Sequence, residues 1–193
     1  LDRLCLSGAV SWGRLAPHPR LMDQSAREQG RRITPTSVGP ISLFPREQGV
    51  WLLEVLRDDF GAGSDPYAAL SAVAQNIRRD LEERGASFFA DLVEATGHLP
   101  AEVEEGLWEL VAAGLVTADG FDNLRALMDP RRRRAEGRER GRRPRHAAGR
   151  WSLLRTMKTS VASSQGPAHS HSALAERVAR QLLHRYGVVF RDL

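Results

Sequence analysis

Cysteine and lysine are almost missing from this 193-residue chain, which contains one of each, Cys5 and Lys158. A single cysteine excludes an intrachain disulfide and a zinc site built from thiolates, and it favours a reducing, cytoplasmic setting. No run approaches the roughly 20 apolar residues that a membrane-spanning helix needs, so we expect no membrane partner. Residues 1–10 lack a basic start followed by an apolar stretch and do not predict a signal peptide.

The motifs of ATP hydrolysis and covalent catalysis are also absent. The sequence contains neither a G-x-x-x-x-G-K-[ST] phosphate loop nor a G-x-S-x-G nucleophile motif. Asp58 and Asp59 are adjacent but lack the strand context of a magnesium site, and His169 and His171 have no third metal ligand nearby. We therefore predict that this chain has no catalytic residue, no metal and no cofactor.

Charge is distributed very unevenly along the chain. Residues 131–155 hold eleven arginines and two glutamates, a net charge of +9, which leaves −5 on the rest of a chain whose total is +4. A guanidinium donates paired hydrogen bonds to phosphate, and a nucleic-acid backbone that neutralises such a segment releases counterions. The segment therefore favours a polyanionic partner, and the alternative is an inert basic spacer.

The candidate nucleic-acid contacts lie mainly in this segment. Trp12 and Arg14 add an aromatic ring beside a cation, a pair suited to stacking on a base, although packing in the core is the more frequent role of tryptophan. The predicted nucleic-acid-binding residues are Arg131, Arg132, Arg133, Arg134, Arg138, Arg140, Arg142, Arg143, Arg145, Arg150, Trp12 and Arg14.

The clearest periodic pattern predicts three consecutive helices. Asp65 and Pro66 are typical of a helix start, apolar residues follow at spacings of three and four, and Gly85 is suited to the helix end. Ser87 is predicted to cap a short second helix, and Pro100 to open a third.

A pair of strands is predicted after the third helix. Residues 115–117 are β-prone, and residues 151–154 are the best candidate for the returning strand. This order is typical of a winged helix-turn-helix, with residues 130–150 as a long arginine-rich wing. The predicted fold is mainly α with a small β wing (α+β), with flanking helical segments and residues 41–44 as an edge strand or extended lead-in.

Four segments are predicted along the chain. Residues 1–63 are an accessory segment that ends a preceding domain, and residues 64–155 are a winged-helix domain. Residues 156–172 are a flexible linker, and residues 173–193 are a truncated helical domain. The last segment resembles the opening of a second winged helix. Because the chain starts at Leu1 and stops just after an apolar run, we expect a piece of a longer protein.

The third predicted helix argues against sequence-specific DNA binding. It contains four glutamates and no lysine or arginine, so phosphates would repel it from a major groove. We interpret this helix as architectural. The four residues are Glu102, Glu104, Glu105 and Glu109.

Several strings in the chain resemble the large helicase-related (Lhr) family of bacterial superfamily-two helicases. The longest runs from Arg84 to Met128 and is the most specific. The strings are LCLSGAVSWGRL, PTSVGPISLFPRE, RGASFFADLVEATGHLPAEVEEGLWELVAAGLVTADGFDNLRALM, GRWSLL and RYGVVFRDL. The resemblance covers the region downstream of the motor, so no catalytic residue of the motor is carried over.

The resemblance implies an ATP-dependent DNA helicase that moves 3′-to-5′ and has a DNA-repair role in the bacterial nucleoid. Its RecA-like motor domains would use ATP and magnesium. This chain would be an accessory region that helps hold single-stranded or junction DNA, or an RNA:DNA hybrid. Two alternatives stay open: a non-catalytic module that docks on the motor, and a winged-helix base-excision enzyme, which would need a buried carboxylate beside a flipped base.

Overall fold

The computed structural model describes residues 1–15, 18, 40–49, 51–53, 70–128, 149–154 and 171–187. The chain divides into two compact units, Leu1–Met157 and Lys158–Leu193. Helices and small antiparallel sheets make up the first unit, which confirms the predicted α+β class. The predicted domain boundaries stay predictions, and the start of a second winged helix at residues 188–193 lies outside the described residues.

The elements of the first unit alternate between short helices and strands. In chain order they are α1 (Asp2–Leu6), β1 (Val10–Gly13), β2 (Ser42–Pro45), a 3-10 turn (Arg46–Gln48), α2 (Ala72–Arg84), β3 (Ser87–Phe88), α3 (Phe89–Thr96), α4 (Pro100–Ala112), β4 (Val116–Ala118), α5 (Phe121–Met128) and β5 (Arg150–Leu153). In the second unit the described element is α6 (His171–Tyr186), which starts two residues before the predicted helix.

The start of α2 differs from the prediction. Asp65 and Pro66 lie outside the described residues, but Leu70 and Ser71 are not helical, so α2 does not start at Pro66. Its N-cap is Ser71, whose hydroxyl accepts the Ala74 N–H at 3.2 Å. A side-chain oxygen at this position satisfies one of the unpaired amides of the first turn.

The predicted role of Ser87 as a helix cap is wrong. Ser87 belongs to β3, and Phe88 is the N-cap of α3. The Asp91 carboxylate accepts the Phe88 N–H at 3.3 Å, and the Ser87 hydroxyl donates to the Gly85 carbonyl. The first helical turn is therefore closed by a carboxylate inside the helix rather than by a serine before it.

A three-stranded antiparallel sheet has the order β3-β5-β4. Val116 pairs with Leu153, and Ala118 pairs with Trp151. The predicted pairing of residues 115–117 with residues 151–154 is therefore confirmed, with β4 displaced by one residue. On the other side of β5, Ser87 pairs with Trp151.

A second antiparallel sheet joins the N-terminal residues to the predicted edge strand. Strand β1 pairs with β2, with Trp12 opposite Leu43. The predicted strand at residues 41–44 is thus confirmed, displaced by one residue. Trp12 and Cys5 lie in the same buried cluster as the apolar faces of α2 and α4, so the first residues share a core with residues 70–128.

Helix α4 is the central helix of this core. More than half of its residues are buried, and these are Val103, Gly106, Leu107, Trp108, Leu110, Val111 and Ala112. Gly106 lies close to α2, since a Cβ there would come within 2.8 Å of the Ile77 Cδ1. The two helices therefore pack at close range, and α4 exposes only a narrow strip.

Candidate nucleic-acid interface

Most of the predicted nucleic-acid contacts lie outside the described residues. This applies to the nine arginines Arg131, Arg132, Arg133, Arg134, Arg138, Arg140, Arg142, Arg143 and Arg145. The structure does describe the residues on either side of this segment. The chain leaves the folded body after α5, which ends at Met128, and it re-enters the body at Gly149, directly before β5.

The re-entry point is fixed to the turn between β4 and α5. The Asp119 carboxylate accepts hydrogen bonds from the Arg150 Nε, at 2.9 Å, and from the Arg150 backbone N–H, at 3.2 Å. The backbone N–H of Asp119 donates to the Arg150 carbonyl. The buried Asn123 amide donates to the Gly149 carbonyl at 3.3 Å. We call these four residues the root of the arginine-rich segment.

Arg150 is the predicted contact that the structure places most clearly. Its side chain is half exposed and forms an ion pair with Asp119. It lies directly opposite Phe88 in the β3–β5 pair. Phe88 was not predicted as a site residue, because Phe88 and Phe89 both fitted the apolar side of a helix. In the structure Phe89 is buried and Phe88 is 45% exposed.

Trp12 cannot serve as the predicted stacking platform, because its side chain is fully buried. Its ring packs edge-on against Trp151 and Phe121, with centroids 6.1 and 6.2 Å away. The indole Nε1 donates to the Gly120 carbonyl at 3.2 Å, and the Trp12 carbonyl accepts from the Thr117 hydroxyl. Of the two roles considered for Trp12, core packing is the one it has.

Arg14 is also unsuited to the predicted contact with nucleic acid. Only 7% of the residue is exposed, and burial lowers the pKa of its guanidinium. The Arg14 carbonyl lies against the turn after α4, where a Cβ on Gly114 would come within 2.4 Å of it. Arg14 therefore belongs to the seam between the N-terminal residues and α4.

The exposed strip of α4 is acidic. Glu102 and Glu105 are exposed, whereas Glu104 and Glu109 are partly buried. Glu102 accepts the Leu99 N–H at 2.9 Å, and Glu109 accepts two hydrogen bonds from Ser71. These carboxylates stabilise helix ends, and they leave a negative surface that repels phosphate.

Metal and thiol chemistry have little support in the part of the chain that the structure describes. Within it, no three His, Cys, Asp or Glu side chains come together as a metal site. Cys5 is a free, buried thiol whose pKa is raised by burial and by the nearby Asp2 carboxylate. A thiol in this state is a poor nucleophile. None of the described helices has the length and apolar composition to cross a membrane.

Comparison with known proteins shows a similarity over part of the chain. No protein-family profile matches the chain. The chain is 35% identical, over 133 aligned positions, to a protein of Mycolicibacterium smegmatis named Lhr helicase/probable uracil glycosylase. The alignment covers 58% of this chain but only 8% of that protein. The similarity thus relates this chain to a small region of a much longer helicase.

Proposed function

We propose that this chain is a nucleic-acid-binding accessory region of an ATP-dependent, Lhr-like DNA helicase. In this proposal it helps hold single-stranded DNA while the motor moves 3′-to-5′ and unwinds the duplex. The observation that carries the proposal is the arginine-rich segment 131–155, which has a net charge of +9. The hydrogen bonds of Asp119 and Asn123 support it, because they hold Gly149 and Arg150 of this region against the folded body.

The order and pairing of the elements favour a winged helix as the scaffold. Helices α2, α3 and α4 are followed by two strands, and a short strand before α3 completes the β3-β5-β4 sheet. In this interpretation α4 takes the place of a recognition helix, and the arginine-rich residues 130–150 take the place of the wing. Because α4 is mostly buried and its exposed strip is acidic, the wing side is the better candidate for contact with phosphates.

The partners follow from the same proposal. Single-stranded or junction DNA, or an RNA:DNA hybrid, would bind the basic segment, while RecA-like motor domains of the same protein would supply the ATP- and magnesium-dependent step. A DNA-repair role in the bacterial nucleoid would suit such a helicase. The name of the relative in M. smegmatis, which includes a helicase, is consistent with these partners.

Salt dependence of binding tests the proposal directly. Affinity of the chain for a labelled single-stranded oligonucleotide would be measured by fluorescence anisotropy from about 50 to about 300 mM salt. Each neutralised phosphate on a single strand contributes about −0.7 to the slope of log affinity against log salt. We expect a slope of about −3 or steeper, with little preference for sequence. An affinity that stays flat across this range would contradict the proposal.

A docking module is the first alternative, and the acidic strip of α4 is the observation that favours it. A negative surface on a mostly buried helix would suit a basic partner surface on the motor. In that case deletion of residues 131–145 would leave DNA binding by the full-length protein unchanged. The main proposal predicts a clear loss of binding.

A base-excision enzyme is the second alternative, because the name of the relative also contains a probable uracil glycosylase. Such chemistry needs a carboxylate held beside the flipped base. Within the described residues no aspartate or glutamate is fully buried, and both Asp91 and Glu94 are exposed. We expect no release of uracil from DNA by this chain, and an assay of the purified chain on a uracil-containing oligonucleotide decides the point.

A further inference from the structure

The outer face of the β3–β5 pair brings an aromatic ring next to a guanidinium. Phe88 and Arg150 are direct partners in the antiparallel register. The side chains of direct partners project to the same face of a sheet, about 5 Å apart at their Cβ atoms. The neighbouring pair, Ser87 and Trp151, projects to the opposite face and is buried. Phe88 and Arg150 therefore share the exposed face.

Both side chains of this pair are accessible. Phe88 is 45% exposed, and the side chain of Arg150 is 51% exposed. Asp119 accepts from the Arg150 Nε and leaves the two Nη atoms without an ion pair in the described part of the chain. The guanidinium is thus held by one edge, while its outer nitrogens can donate to a phosphate oxygen.

The carboxylates around this pair are already engaged. Asp91 accepts the Phe88 N–H, and Asp119 accepts twice from Arg150. A single exposed aromatic on a protein surface is common and needs no explanation. Here, however, the ring lies beside Arg150, and this arginine follows the nine predicted contacts between residues 131 and 145.

We propose that Phe88 and Arg150 form a stacking site for one unpaired base of a single strand. The base would lie on the Phe88 ring, and the adjoining phosphate would accept hydrogen bonds from the Arg150 guanidinium. Aromatic rings stack on any base, so this site has little sequence preference. The inference rests on the proposed function. It names two residues that would contact the single strand bound by the arginine-rich segment.

The test compares two oligonucleotides on the whole chain, Leu1–Leu193. One is a normal single strand, and the other carries abasic positions but the same number of phosphates. Phe88→Ala should weaken binding of the normal strand about tenfold and leave the abasic strand unchanged, since only the first has bases to stack. Phe88→Trp should restore binding. Arg150→Ala should weaken binding of both strands equally.

Leu99→Ala is the matched control. Leu99 is also the N-cap of a helix, and it is even more exposed, at 68%, but it has no arginine partner in the described sheets. We expect this variant to bind both strands like the native chain. Thermal unfolding of every variant checks that the fold is kept, because a folding defect would weaken both strands together.

Two outcomes separate this inference from the proposed function. If the native chain binds with steep salt dependence but Phe88→Ala leaves both strands unchanged, the stacking site is overturned and the proposed function stands. If the native chain binds neither strand, the proposed function fails and the stacking site fails with it. A loss that is equal for normal and abasic strands also overturns the stacking role.

Discussion

The exposed strip of α4 and the outer face of the β3–β5 pair belong to the same packed unit, but they differ in charge and in the side chains that are available to a ligand. On α4 the exposed acids include Glu102, which caps its own helix. On the sheet, Phe88 and Arg150 are both accessible, and Arg150 belongs to the segment 131–155, which has a net charge of +9. A phosphate backbone is repelled by the first surface and attracted by the second.

In the proposed function, a helix-turn-helix arrangement would bind nucleic acid without using its third helix. Most of α4 is occupied by packing against α2, since Gly106 allows close approach to Ile77. A helix committed to the core in this way has few side chains left for base contacts. We therefore expect contact with a strand to depend on residues outside the helix, at the root of the arginine-rich segment and along it.

The largest effect on stability is expected where the N-terminal residues pack on the turn after α4. Gly114 has a φ of +70°, and a Cβ there would come within 2.4 Å of the Arg14 carbonyl. Gly114→Ala adds a backbone clash to left-handed strain and should lower the free energy of unfolding by about 3 kcal/mol. Denaturant unfolding measures this change.

Gly97→Ala is the matched control for this prediction. Gly97 has a φ of +66°, but an added Cβ would meet nothing within 4 Å. This variant should cost only about 1 kcal/mol, from left-handed strain alone. Equal losses at Gly97 and Gly114 would mean that the N-terminal residues do not pack on the turn after α4.

A smaller effect is expected at the root of the arginine-rich segment. Asp119→Asn keeps the shape of the side chain but removes the charge that pairs with Arg150. Since this pair is partly exposed, stability should fall by less than about 1 kcal/mol. Thermal unfolding at low salt gives the value, and the difference should shrink at high salt. A loss that does not depend on salt would show that charge is not the reason.

The smallest effect is expected on α4. Glu105 is exposed, and Glu105→Gln should change the affinity for a single strand by less than about twofold, because the strand stays away from this helix. Anisotropy titration of the variant beside the native chain measures the change. A tenfold change in affinity in either direction would place the nucleic acid on α4 rather than on the outer face of the β3–β5 pair.

The sequence was informative where a local pattern decides the structure. Residues 115–117 and 151–154 are apolar and β-prone, and these strands pair as predicted apart from a displacement of one residue. The glycines at the ends of α2 and α3 also mark those ends correctly, because both caps have a positive φ, +81° at Gly85 and +66° at Gly97, which favours glycine.

The sequence was misleading where distant residues decide the structure. The buried role of Trp12 depends on a hydrogen bond to the Gly120 carbonyl, 108 positions away, and on the Trp151 ring. No local pattern reveals such partners. The exposure of Phe88 was missed for a similar reason, because a two-residue strand is too short for alternation to distinguish the inward from the outward side.

The most direct test of the account is a variant in which the nine arginines between residues 131 and 145 are replaced by glutamine. Affinity for a single-stranded oligonucleotide would be measured against salt for this variant and for the native chain. We predict a loss of at least about 100-fold at low salt and a much flatter salt dependence, because counterion release is lost. An unchanged affinity with an unchanged slope would contradict the account.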